Sequence, residues 1–233
     1  MRSVFLLILG ACLALGCGDT YGTCYTYYGD GETVRSEVPC NRSKGTKDGL
    51  MKVYRKNGEL WKTIPYVNGV EEDTTRLYYS HSDKLLKIVP MEGGKREGSA
   101  IEYYRNGEIK KIQPYEDNKK SGLHKTFTEK GKLISEEYYK NGLKEKTATY
   151  YYEDSDQVKE KISYIQDNRN GAYVKYDSKG RLLLEGAYKN GLPTGKWTFR
   201  SSIGKPITAD IAEIKYAYKE EVKGLDEYFY EQL

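Results

Sequence analysis

The chain has 233 residues, of which 38% are hydrophobic and 31% charged, and it carries 24 Tyr against 4 Phe. That balance leaves little for a thick dry core and suits a thin structure whose tyrosines bury their rings and keep their hydroxyls wet. The net charge of +4 is a small difference between 38 basic and 34 acidic side chains, which describes a mixed, solvated surface and gives no footprint for nucleic acid.

Residues 1–16 read as an export signal. Arg2 supplies a minimal positive start, and the apolar run from Val4 through Leu15 is too short to span a bilayer comfortably. The run ends Ala14-Leu15-Gly16-Cys17, which resembles a bacterial lipobox. The resemblance implies a diacylated Cys17 as the new N-terminus and a durable membrane anchor, since each buried methylene adds about 0.8 kcal/mol. Leu9-Gly10-Ala11-Cys12 is a second such string, with a shorter apolar run before it; a plain secretory signal with an incidental cysteine is the alternative. Gly18, not Asp, follows Cys17, which favours the outer membrane over inner-membrane retention by enterobacterial sorting.

Residues 17–48 form a Gly/Thr/Ser-rich tether and N-terminal cap containing Cys24 and Cys40. Export places both in an oxidising compartment, so one disulfide is expected, contributing roughly 3 kcal/mol by loop-closure arithmetic. Two free thiols are the alternative.

From residue 49 to 200 the sequence repeats with a period of 24–25 residues. An aromatic column runs Tyr54, Tyr79, Tyr103, Phe127, Tyr152, Tyr176. An aliphatic column follows at Leu60, Leu85, Ile109, Leu133, Val158, Leu182, with a turn column between them at Gly58, Asp83, Gly107, Gly131, Asp156 and Gly180. A third column is Tyr66, Met91, Tyr115, Tyr139, Tyr164, Tyr188. Units close near Gly98, Gly122, Gly171 and Gly195, with Thr74 and Thr147 as the exceptions.

Each unit reads as a β-hairpin. In the first, Leu50, Lys52 and Tyr54 are expected on one face with Leu60, Lys62, Ile64 and Tyr66 by period-two alternation. Asn57-Gly58 makes the turn between them, and a second turn follows each outgoing strand, as at Asn68-Gly69, Asn141-Gly142 and Asn190-Gly191. The 25-residue steps place their extra residue after this second turn. Pro65, Pro90 and Pro114 fall in one column that becomes Tyr138, Ser163 and Ala187; proline cannot donate a ladder hydrogen bond, so the outgoing strand of the first three units is expected to loosen or bend there. The fold class is therefore all-β, an elongated antiparallel β-hairpin array. Residues 201–233 form a C-terminal cap. Within it, Asp210-Ile211-Ala212-Glu213 reads as a capping box opening a short helix through Val222 with Gly224 at its stop, and a seventh outgoing strand from Pro206 is the competing reading.

The pattern Gly-x4-Tyr-x2-Asn/Lys-Gly-x-Leu-x5-Tyr-x-Asn-Gly resembles the MORN-variant repeats of bacterial envelope proteins, over about Gly49 to Gly195. The resemblance implies a hairpin sheet used for tethering or scaffolding; bacterial members often carry an antitoxin label.

No catalytic constellation stands out, so no enzyme and no cofactor are expected. His81 and His124 lack metal-ligand spacing and read as strand or loop surface residues. Adjacent acids such as Glu71-Glu72, Glu136-Glu137 and Glu220-Glu221 are separated by strand alternation. Asp154-Ser155-Asp156 reads as a polar turn, and Trp61 and Trp197 as strand packing. The function expected is a non-catalytic, lipid-anchored envelope module that binds a protein or glycan and no nucleic acid, with an antitoxin-like inhibitor as the alternative.

Overall fold

The computed structural model describes residues 20–201 and 203–233; residues 1–16, expected as an export signal, and Cys17 lie outside them. The chain divides into two compact units, one ending at Gly107 and one beginning at Glu108.

The first unit contains β1 (Tyr21–Tyr27), β2 (Val34–Asn41), β3 (Thr46–Lys47), β4 (Gly49–Tyr54), β5 (Leu60–Val67), β6 (Val70–Glu71), β7 (Asp73–Tyr78), β8 (Leu85–Glu92), β9 (Lys95–Arg96) and β10 (Gly98–Tyr103). The second contains β11 (Ile109–Glu116), β12 (Lys119–Lys120), β13 (Gly122–Phe127), β14 (Leu133–Lys140), β15 (Leu143–Tyr151), β16 (Val158–Ile165), β17 (Asn168–Tyr176), β18 (Leu182–Lys189), β19 (Leu192–Arg200) and β20 (Pro206–Asp210). Among the described residues every strand pairing is antiparallel.

The hairpin pattern begins earlier than the repeat columns. In β1–β2, Gly22 pairs with Cys40 as Gly49 pairs with Tyr66, and Tyr27 pairs with Val34 as Tyr54 pairs with Leu60. At the other end both readings of the C-terminal segment apply in turn. β20 pairs with β19, and its last residue, Asp210, then caps α1 (Ile211–Glu213) by accepting the Glu213 N–H at 2.9 Å. A π turn at Ile214–Tyr218 joins α1 to α2 (Lys219–Val222), and α3 (Glu227–Glu231) follows.

The second turns behave as their dipeptides require. Both central residues have positive φ in all six, from Asn68 (49°) and Gly69 (85°) to Asn190 (52°) and Gly191 (85°), the twist that a two-residue hairpin loop needs. Five of the turns also lean on the turn before, within their own unit. In the first unit the Gly69 N–H donates to Lys47 O at 2.7 Å and the Gly94 N–H to Glu71 O at 2.9 Å. In the second, the Gly142, Asp167 and Gly191 N–H groups reach the carbonyls of Lys120, Lys144 and Arg169.

The first turns correct three expectations. The extra residue of the 25-residue steps sits here and not after the second turn: Tyr79 N–H reaches Lys84 O and Tyr152 N–H reaches Gln157 O, whereas the shorter turns close from Arg55 to Glu59 and Thr128 to Lys132. Consequently Leu85 pairs with Tyr78 and Val158 with Tyr151, one residue before the aromatic column. The unit-closing residue with positive φ is Asp73 (63°) or Lys146 (63°) where glycine is missing, not Thr74 or Thr147. Finally, a register shift at Val53/Tyr54, where Trp61 is an extra residue in β5, puts the two strands out of step: Met51 faces Ile64 and Val53 faces Lys62, while Leu50 pairs with Pro65 and is exposed. Beyond a bulge the face shared by the two strands changes by one residue, so Leu50 and Lys52 no longer share a face with Ile64 and Tyr66.

The proline column splits strands. The carbonyls of Pro65, Pro90 and Pro114 accept the backbone N–H groups of Glu72, Glu97 and Ser121, and Pro114 O accepts from His124 Nε2 as well. The next strand is accordingly broken into a two-residue piece and a six-residue piece, as in β6–β7, β9–β10 and β12–β13. After Tyr138, Ser163 and Ala187 it runs unbroken for nine residues, as β15, β17 and β19. The missing donor at proline explains the difference.

The largest apolar cluster lies in the second unit, where α2 and α3 close over β17–β19. Trp197 and Phe229 are fully buried with ring centroids 4.3 Å apart. Gly186 makes room for this: a Cβ there would lie 2.2 Å from the Trp197 ring.

Candidate binding surface

The second residue after a second turn is basic at Lys47, Lys120, Lys144 and Arg169. Because the turn leans on its neighbour, each of these side chains is carried over the tyrosine of the following hairpin. Lys47 lies 4.4 Å from the Tyr66 ring centroid, Lys120 4.6 Å from Tyr139, Lys144 5.3 Å from Tyr164 and Arg169 5.3 Å from Tyr188. A cation over an aromatic face is attracted by the ring quadrupole, by about 0.5–1 kcal/mol where exposed and more where desolvated. This cation column was missed in the sequence, although it recurs at the repeat period.

In the first unit the pattern opens on a groove of about 580 Å³ bordered by Gly45, Lys47, Tyr66, Val70 and Glu71. Lys47 Nζ donates to Tyr66 OH at 3.3 Å, and Tyr66 OH donates to Glu71 Oε1 at 3.0 Å. Burial lowers the Lys47 ammonium against the pull of Glu71. Burial, reinforced by Glu71, pushes the Tyr66 phenol up to about 12.

In the second unit the carboxylate comes from a different repeat position, Glu137, two residues before Tyr139, while Lys144 stands where the first unit has Glu71. Glu137 accepts from Lys144 Nζ, from Tyr150 OH at 2.7 Å and from Tyr139 OH at 3.3 Å. Burial disfavours its charge, but these donors outweigh that and hold the carboxyl below its ordinary range. The neighbouring Glu136 faces away and meets Lys125 Nζ at 3.0 Å and Tyr151 OH at 3.2 Å, so the adjacent pair is divided between faces. Glu71 and Glu72 are divided likewise, Glu72 accepting from the Gly93 N–H.

His124 is a correction: it is a strand residue but not a surface one, being 5% exposed between Tyr115 and Tyr139. Its Nε2 donates to Pro114 O at 3.0 Å. Burial lowers its pKa, partly offset by that carbonyl. His81 stays outside, its Nε2 3.5 Å from Glu59. Trp197 is core, whereas Trp61 is 36% exposed beside Arg55 and Lys62. Asp154-Ser155-Asp156 lies in a turn whose Asp154 carbonyl accepts from Lys132 Nζ. Among the described residues no group of three or more His, Cys, Asp or Glu is arranged to hold a metal ion. Cys24 and Cys40 are joined by a disulfide with Cα atoms 5.9 Å apart; Cys17 lies outside the described residues.

In each unit this geometry sets tyrosines beside cations and carboxylates, with Tyr66 and Tyr164 part-buried and Tyr139 and Tyr188 buried. No curated protein matches the chain. The MORN repeat variant matches it at residues 47–68, 96–117 and 120–141, and repeats of this kind are in general non-catalytic binding or scaffold modules. The three matched segments support reading the chain as a MORN-repeat protein.

Proposed function

We propose that this chain is a non-catalytic, lipid-anchored module of a bacterial cell envelope that uses its hairpin surface to hold a protein or glycan partner. The observation that carries the reading is the Lys–Tyr–Glu row, seen as Lys47–Tyr66–Glu71 in the first unit and around Glu137, Lys144 and Tyr164 in the second. Tyrosine gives large contact area with few rotatable bonds, and flanking charges give orientation. The lipobox-like Ala14-Leu15-Gly16-Cys17 supports the anchor, and Gly18 supports the outer membrane.

The test is fractionation of cells producing the wild type or Cys17→Ser, with mass analysis of the mature N-terminus. Acylated, membrane-bound wild type beside an unacylated variant is the expected result. A cytosolic product that keeps residues 1–16 overturns the envelope reading. Binding is checked on the same membranes: chemical cross-linking of the wild type captures a stoichiometric complex that Tyr66→Ser with Tyr164→Ser loses.

A further inference from the structure

We propose that the outer edge of β1 pairs with β1 of a second copy of this chain, through an antiparallel strand pair centred on Thr23. The inference is independent of the anchor and of the Lys–Tyr–Glu row.

Among the described residues β1 pairs with β2 alone. The Arg42 N–H donates to Thr20 O at 2.7 Å, which sets the alternation. Gly22, Cys24 and Thr26 direct their backbone groups at β2, and Tyr21, Thr23 and Tyr25 direct theirs outward. On that outer side the one contact among the described residues is Arg42 Nη2, at 3.4 Å from Thr23 O and solvent-exposed.

Proteins ordinarily blunt such an edge with lysine, proline, shortness or a covering element. β20 shows those devices: it is five residues long, starts at Pro206 and runs straight into a helix. The strand β1 itself has none of them; its one cover among the described residues is the exposed Arg42 side chain at Thr23 O. Its seven residues, Tyr-Gly-Thr-Cys-Tyr-Thr-Tyr, include no charge and no proline in a chain that is 31% charged. Tyr, Thr and Cys also favour the pleated conformation.

The occupant follows from the strand's own pattern. Centred on Thr23, an antiparallel self-pairing sets Thr23 opposite Thr23, Tyr21 opposite Tyr25 and Gly22 opposite Cys24. Every outward-directed residue then meets another outward-directed residue, making about six backbone hydrogen bonds. Thr–Thr and aromatic pairs are favourable cross-strand neighbours, no residue of the strand is charged, and the exposed Arg42 side chain swings off Thr23 O to admit the partner. Tyr21 and Tyr25, 61% and 42% exposed, cover each other. The disulfide from Cys24 to Cys40 holds β1 on β2, so the edge is presented as a fixed strand.

The experiment is size by light scattering on the full chain, purified in detergent, at concentrations up to about 0.1 mM, where a small interface is populated. The wild type is expected at twice the mass of one chain. Thr23→Lys alone and Thr23→Glu alone, which set like charges opposite each other, are expected at one chain's mass; mixed in equal amounts they return to two. Circular dichroism and the intact Cys24–Cys40 link show that each variant is folded. A monomeric wild type overturns the proposal, and so do single variants that remain dimeric or a mixture that fails to pair.

Discussion

The Tyr173 hydroxyl lies 2.6 Å from Asp226 Oδ2 and 2.7 Å from Glu160 Oε1, so one proton ties the hairpins to the C-terminal cap. Lys175 Nζ reaches the same Asp226 oxygen at 2.9 Å, while Oδ1 accepts the Phe229 N–H that begins α3.

Removing this carboxylate should therefore loosen the cap. Asp226→Ala loses a helix cap worth about 1 kcal/mol and a charged hydrogen bond worth about 1.5–3 kcal/mol. Tyr173→Phe should cost about 1–2 kcal/mol. Urea unfolding gives the sizes, and hydrogen exchange in Glu227–Glu231 locates the effect. Burial opposes the Asp226 charge, but Tyr173, Phe229 and Lys175 together depress its pKa. Its stabilisation is thus complete above the unfolded value near 4 and fades as pH falls through the folded value, so the gap between wild type and Asp226→Ala should close in acid.

A second expectation concerns the backbone at the unit-closing positions. An L residue held at positive φ is strained by about 1–2 kcal/mol, less for Asp. Asp73→Gly should therefore raise stability by up to about 1 kcal/mol and Gly98→Ala should lower it by about 1–2 kcal/mol. Thr74→Gly, one residue away, should not stabilise. Denaturant midpoints of the three variants decide the point.

The third expectation follows from His124. Its imidazole is buried and neutral, with a pKa below the ordinary value of about 6.5. A base whose folded pKa is depressed stabilises the fold above its unfolded pKa and loses that contribution as pH falls through the folded one. Stability should decline below about pH 6.5 before the carboxylates titrate, and His124→Gln should flatten that decline. A wild-type curve level down to pH 5 would contradict this.

These positions also mark what could be read in advance. The second turns were legible because Asn-Gly and its relatives are chosen for one backbone conformation, and all six adopt it. A defect at Pro65, Pro90 and Pro114 was legible because a missing N–H is a local fact, but its place was misread: the outgoing strands β5, β8 and β11 run through the prolines, and the strand that follows each is the one that breaks. Asp73 and Lys146 were not, because nothing in their side chains announces positive φ. The face of Leu50 was misread because a bulge at Val53/Tyr54 changes the phase without any residue signature. His124 looked like a surface residue because its burial comes from Tyr139 in the next strand and from Pro114 in an earlier one. The β1–β2 hairpin escaped the column search because Cys40 stands where later units place Tyr or Met, and its turn is longer.

The two edges of a hairpin differ in how they hold their neighbours. At the second turns a backbone amide onto a backbone carbonyl recurs, with the carboxylates of Asp48, Glu72 and Glu145 accepting a second amide at some of them. At the first turns the ties are side chains: Tyr28 OH onto Tyr54 O, an Arg55 amine onto Tyr78 O, Tyr79 OH onto Tyr103 O, and Tyr152 OH onto Tyr176 O. Loop length already varies there, and the identity of the tie varies with it. A lineage carrying this fold can accordingly lengthen, recolour or drop first-turn loops one unit at a time with the stacking left intact, which makes that edge the place where new recognition can evolve.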